Sequence, residues 1–262
     1  MKSLSKYTTS LKTSNKKAIV TYITAGLDGW IDAVHCVIEN GADVVEIGLP
    51  FSDPVMDGPV ISKASSISLS NGAKTLDLLA QIEDESFAKP IAVMTYANVL
   101  YSHGFEEILT PLTSAGVSGL IIPDLTFEAS ESFREILRGT DISLVQLIAS
   151  TTSDLRRDGI IENSEGFLYC VAIKGITGQD VELTNKYTEF IPPIKAKSSL
   201  PVYCGVGIRT PDDAKKLASL SDGVIIGTTL VEKLLNDKKP IEEITRYIQE
   251  LRQAVDESGS NS

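Results

Sequence analysis

Two carboxylates, Glu46 and Asp57, flank a turn built from Gly48, Pro50, Pro54, Gly58 and Pro59 in the stretch VEIGLPFSDPVMDGP, residues 45–59. Nowhere else does the chain mix acids, breakers and apolar residues so densely. The run Asp43-Val44-Val45-Glu46-Ile47 has the β-branched content of a short buried strand, so Glu46 interrupts an apolar segment close to the strand's C-terminal end. A carboxylate in that setting is costly unless it is paired, protonated or used. One reading is a proton carrier kept in its acid form. The other is a strand-end Glu held by backbone N–H groups or a neighbouring cation, and the residue alone does not separate the two.

The elements that must position these groups alternate along the whole chain. Strands are expected at 18–24, 43–47, 91–95, 119–122, 143–148, 166–171, 201–204 and 223–226, with helical patterns between them. Gly41 ends the helix 30–40, Pro59 opens another that runs to Asn71-Gly72, and Thr210-Pro211 caps the helix 211–220. Extra helices are expected at the N-terminus (3–11), after the second strand (75–85) and after the eighth (228–235, then 241–255). Eight βα units give an α/β fold, a single (β/α)8 TIM barrel occupying residues 1–262, with residues 256–262 as a disordered tail. A doubly wound sheet is the alternative, but Ala25-Gly26-Leu27-Asp28-Gly29 lacks the G-x-G-x-x-G of such folds.

Four local expectations follow. Residues 174–187 have Gly175, Gly178 and no apolar periodicity, which reads as a lid. Pro192-Pro193 should split or delay the next helix. Lys12, Lys16 and Lys17 read as a solvated basic run, and His103 as a loop residue.

Composition narrows the function classes. A formal net charge of −11 opposes phosphate backbones and anionic lipid, leaving small molecules and proteins as partners. No apolar h-region follows Lys2 and Lys6, and no apolar run approaches spanning length, so a cytoplasmic protein is expected. Cys36, Cys170 and Cys204 are odd in number, widely spaced and set in apolar segments, as buried free thiols would be. With two histidines and no HxxxH or CxxC spacing, a zinc site lacks its usual ligands.

In a barrel of this kind the C-terminal strand ends carry the site, and phosphate often binds where the loops after strands seven and eight meet a short helix. Gly205-Val206-Gly207 follows the seventh strand, and Gly227-Thr228 opens a short helix after the eighth, so backbone N–H groups can face an anion. Gly178 can close over it. Tyr22, Met94, Tyr96, Ile121, Ile148 and Tyr169 fall on or at the ends of strands. Each alone is ordinary core; together with the acids and glycines they describe a pocket for a phosphorylated substrate with a flat apolar part.

Six motifs then carry a resemblance: VEIGLPFSDPVMDGPVI, MTYAN (94–98), LIIPDL (120–125), YCVAIKGITG (169–178), GVGIRTPDDA (205–214) and GVIIGTTLV (223–231). From about Leu4 to Val255 the chain resembles the α subunit family of tryptophan synthase. That resemblance implies a lyase splitting indole-3-glycerol phosphate into indole and glyceraldehyde 3-phosphate, with no cofactor or metal in this chain. It implies a β-subunit partner carrying pyridoxal phosphate in an α2β2 heterotetramer. By motif position, Glu46 matches the general acid/base and Asp57 the carboxylate that engages the indole N–H. Gly178, Gly207, Gly227 and Thr228 match phosphate contacts, Thr177 the lid threonine, Tyr96 and Tyr169 pocket aromatics, and Pro50 and Asp53 the surface facing the β subunit. Met56, Ser62, Thr126, Ile173-Lys174 and Val206 depart from the residues common in that family. The competing readings are another phosphate-binding barrel, such as a sugar-phosphate isomerase, and a non-catalytic subunit that activates a partner.

Overall fold

The structure, a computed structural model, describes residues 1–171, 183–205, 207–236 and 238–259, with only the backbone of 183–186. Eight parallel strands close in sequence order into a barrel: β1 (Ala18–Thr24), β2 (Val44–Gly48), β3 (Ile91–Met94), β4 (Val117–Ile121), β5 (Ser143–Ala149), β6 (Leu168–Val171), β7 (Val202–Cys204) and β8 (Gly223–Ile226), with β8 pairing back to β1. The helices are α1 (Ser3–Thr13), α2 (Trp30–Asn40), α3 (Pro59–Ser70), α4 (Thr75–Glu83), α5 (Ala97–His103), α6 (Phe105–Ser114), α7 (Ser130–Leu137), α8 (Asp154–Asn163), α9 (Leu183–Lys197), α10 (Pro211–Leu220), α11 (Thr228–Asn236) and α12 (Pro240–Gly259). The expected (β/α)8 barrel and its extra helices are all present. A further short helix, α5, follows β3, and His103 is its last residue instead of a loop position.

Because helices cover the outside and side chains fill the inside, the strands are largely buried on both faces and mostly apolar, with Glu46 the one carboxylate within a strand among the described residues. The two faces form separate clusters. The inner one contains Ala18, Val20, Val44, Ala92, Ile121, Val145, Phe167, Tyr203 and Ile225; the outer one joins alternate strand residues, such as Ile19, Val45, Leu120 and Ile148, to the helices. α1 seals the N-terminal end, inserting Leu4 and Leu11 into the inner cluster. Thr8 Oγ1 donates to the Gly166 carbonyl at 2.6 Å, the Gly166 N–H donates to Ser5 Oγ at 2.7 Å, and Lys2 Nζ donates to the carbonyls of Leu137 and Ile142 while pairing with Glu165.

The lysines that follow are bound, contrary to the solvated run expected. Lys12 donates to the Ser198 and Leu200 carbonyls and Lys17 to that of Ser221. Lys16 pairs at 2.6 Å with Asp43, which is 1% exposed and also takes Arg252 of α12 and the Ile19 N–H. A buried carboxylate at the start of β2 needs those donors, and the nearby cations supply them.

Two other expectations are corrected. α9 runs unbroken through Pro192 and Pro193, because both lie on its exposed side while Tyr187, Phe190, Ile191 and Ile194 are buried against the barrel; tertiary packing outweighs two lost backbone donors. α12 reaches Gly259, so Asp256–Gly259 of the expected tail are helical, held by buried Val255 and Ser258. Of the expected lid, 174–182 lie outside the described residues and 183–187 open α9. All three cysteines are buried and unpaired.

Candidate active site

Register decides which residues meet. Tyr22 of β1 lies opposite Glu46 of β2, which lies opposite Ala92 of β3, which lies opposite Gly119 of β4. The space left by Gly119 is taken up by Leu4 of α1, which packs under this row. The glycines at the strand ends leave room for rings. A methyl at Gly48 would stand 2.0 Å from Tyr22 Oη, one at Gly205 2.9 Å from a Tyr169 ring carbon, and one at Gly227 3.0 Å from Tyr22 Cβ. Tyr22 and Tyr169 therefore occupy space left by Gly48 at the end of β2 and by Gly205 and Gly227 just past β7 and β8.

Glu46 is fully buried, and among the described residues neither of its carboxyl oxygens has a hydrogen-bond partner. Burial, reinforced by the charge of Asp57, pushes its pKa up to about 8. Asp57 sits in the loop between β2 and α3; burial raises it to about 6, against the lowering effect of a hydrogen bond from Tyr96. Near pH 7 the pair thus divides into a protonated Glu46 and an ionised Asp57. The phenols of Tyr22 and Tyr169, buried in the barrel mouth and within the field of both carboxyls, are pushed up and stay protonated.

Tyr96 binds the acidic loop. Its ring stacks on Phe51, centroids 5.0 Å apart, and its phenolic oxygen accepts the Met56 N–H at 3.0 Å while hydrogen-bonding Asp57. Phe51 carried no signal as a site residue, since one aromatic in a loop is uninformative without its partner.

Most of the other expected pocket residues converge on the same mouth. Ile121 lies in the inner cluster, and Met94 packs between the inner and outer clusters. Ile148 does not converge: it is buried in the outer cluster, and its neighbour Leu147, opposite Tyr169, faces inward. Pro50 is buried within the chain instead of presenting a partner-facing surface, whereas Asp53, Val55 and Met56 of the same loop are exposed. Gly207 and Gly227 follow the neighbouring strands β7 and β8, and Thr228 is the first residue of α11. Gly207 has φ +75°, which L side chains adopt only under strain. Thr177, Gly178 and Val206 lie outside the described residues. A separate cleft of about 470 Å³ lies outside the barrel between α3 and α11, away from Glu46.

Among the described residues, no three His, Cys, Asp or Glu side chains gather as a metal site requires, and no helix is long and apolar enough to cross a membrane. A closed parallel barrel with one acid buried in its wall and a second on the adjoining loop has the layout of a barrel enzyme. The family model described as "Tryptophan synthase alpha chain" matches residues 8–259. The chain belongs to that family. It is 37% identical over 254 residues to the tryptophan synthase alpha chain of Caldanaerobacter subterraneus subsp. tengcongensis, covering 94% of this chain and 96% of that one. With the alpha chain of Streptococcus thermophilus it shares 34% over 252 residues, covering 94% and 96%. Its fold is similar to the ligand-free tryptophan synthase from M. tuberculosis (TM-score 0.87, 29% identity, 97% and 99% covered) and to tryptophan synthase subunit alpha from Legionella pneumophila str. Paris (TM-score 0.86, 29% identity, 98% and 99% covered).

Proposed function

We propose that this chain, as a single catalytic barrel domain, uses Glu46 and Asp57 to cleave indole-3-glycerol phosphate into indole and glyceraldehyde 3-phosphate, the lyase step of its family in tryptophan biosynthesis. The observation that carries the assignment of roles is the opposite protonation of the two acids near pH 7. Glu46 delivers its proton to indole C3, which places positive charge on the ring nitrogen. Asp57, ionised, stabilises that charge at the N–H. The Glu46 carboxylate then removes the proton of the chain hydroxyl on the carbon attached to C3. The C–O bond becomes an aldehyde, the C–C bond breaks, and its electron pair returns to the ring, neutralising the nitrogen. The released molecules are indole and the aldehyde, and Glu46 ends as it began, protonated.

The three-carbon phosphate is held by the backbone at Gly207 and Gly227 and the first turn of α11 at Thr228; Gly178 and Thr177 are assigned to the same substrate by their motif positions. The flat indole lies among Tyr22, Met94, Tyr96, Ile121, Leu147 and Tyr169. This cycle uses side chains alone. A tryptophan synthase β subunit, holding the pyridoxal phosphate, is the partner in an α2β2 heterotetramer, and the exposed Asp53–Met56 rim supports that placement. Three buried, unpaired thiols support a reducing, cytoplasmic setting.

The test is indole release from indole-3-glycerol phosphate by the purified chain, alone and with a β subunit. No indole under either condition would overturn the reaction. For the phosphate site, Gly207→Ala puts a methyl where the anion approaches and forces an alanine into φ +75°. Affinity for glycerol 3-phosphate in calorimetry should fall by about tenfold or more, with a stability loss of about 1–2 kcal/mol. Unchanged affinity would place the phosphate elsewhere.

A further inference from the structure

The loop carrying Asp57 is held at Tyr96, and Tyr96 is itself held from a third segment. Asp124, just past the end of β4, accepts the Ala97 N–H at 2.9 Å. Ala97 is the first residue of α5 and follows Tyr96 directly, so this bond satisfies an N–H that the helix leaves without an internal acceptor. Tyr96 is 3% exposed, with its ring fixed on Phe51. A phenol has one proton to give and lone pairs to receive: it receives from the N–H of Met56, the residue before Asp57, and its proton is left for the Asp57 carboxyl, whose pKa it lowers. The segments after β2, β3 and β4 thus meet at two consecutive residues, Tyr96 through its side chain and Ala97 through its backbone N–H.

We propose that Asp124 is a positioning residue for the reaction: by holding the Ala97 N–H it sets the place of Tyr96, and through the Tyr96 phenol it sets the place of the Asp57 carboxylate. This role rests on the function proposed above. Asp124 touches no reacting atom, and its effect passes through Tyr96. The charged and titratable groups facing this network are Glu46 from β2, Tyr22 from β1 and Tyr169 from β6, with Asp124 itself acting on Tyr96. Losing the phenol's hydrogen bond leaves burial unopposed at Asp57, so Asp57 would ionise only at higher pH.

The experiment measures indole formation from pH 5 to 9 for the parent chain, Asp124→Ala, Asp124→Asn, Tyr96→Phe and the double variant Asp124→Ala/Tyr96→Phe, with thermal melts for each. Asp124→Ala should lower kcat by about tenfold, with KM within about threefold, and move the acid limb of the profile upward. Asp124→Asn, whose amide oxygen can still accept the Ala97 N–H, should recover most of that loss. In the Tyr96→Phe background Asp124→Ala should cost less than about twofold more, because the route is already cut. Should Asp124→Ala not fold, Asp124→Ser, too short to reach Ala97, takes its place. Parental kinetics in the Ala or Ser variant would overturn the role, as would fully additive losses in the double variant. A parent chain that forms no indole would overturn the reaction and this role with it, which distinguishes the two failures.

Discussion

Replacing Glu46 by Gln should abolish most indole formation and at the same time stabilise the protein at neutral pH. The amide keeps the size and polarity of the acid but cannot cycle a proton, so turnover should fall by roughly 10²-fold or more. The stability effect follows from linkage. Folded Glu46 keeps its proton up to about pH 8, whereas its ordinary value is 4.5. Between those values the folded state binds more protons than the unfolded one, so its stability decreases as pH rises through the interval and stays lowered above it. An amide at this position has no such dependence. The variant's advantage should therefore be absent near pH 4.5, grow towards pH 8, and reach a few kcal/mol, or roughly 5–10 °C in Tm. Melting curves at pH 4.5 and 7.5, beside an indole assay, check both halves. An active variant would remove Glu46 from the mechanism; equal Tm values at both pH values would show that the buried acid is not held protonated.

Asp57→Asn should lower turnover by about 10²-fold or more while weakening substrate binding much less, because the lost charge matters when the ring nitrogen becomes cationic. The pH profile carries the sharper signature. In the parent, activity should rise near pH 6 as Asp57 ionises and fall near pH 8 as Glu46 loses its proton. In the variant the acid limb should disappear. The basic limb should move to lower pH, since the Asp57 charge that helps raise Glu46 is gone. A variant with full turnover and only a higher KM would assign Asp57 to binding alone.

Glu46 and Asp57 were legible because each breaks a local rule: an acid inside a β-branched strand, and a second acid in a turn crowded with proline and glycine. Ile148 was misassigned for a physical reason. β5 reads SLVQLIA, apolar on both faces, so alternation cannot say which residues point inward; its pairing with β6, which sets Leu147 opposite Tyr169, does. Pro50 shared a motif with exposed neighbours, yet its burial depends on how the loop folds back. Asp124 sits in LIIPDL like any loop acid. Its meaning comes from Ala97, 27 residues away, a contact no local pattern encodes. α5 escaped notice because seven residues are too few to establish a helical period.

The plug that α1 forms at the N-terminal end has a consequence for traffic. With Leu4 and Leu11 packed among Phe167, Tyr203 and the lower strand residues, the barrel is closed at its N-terminal end. Substrate, expelled water and both products must therefore use the C-terminal end, where the loop with exposed Asp53, Val55 and Met56 also lies. Traffic of an apolar product such as indole is thereby confined to the C-terminal end of the barrel, the end on which the acidic loop lies.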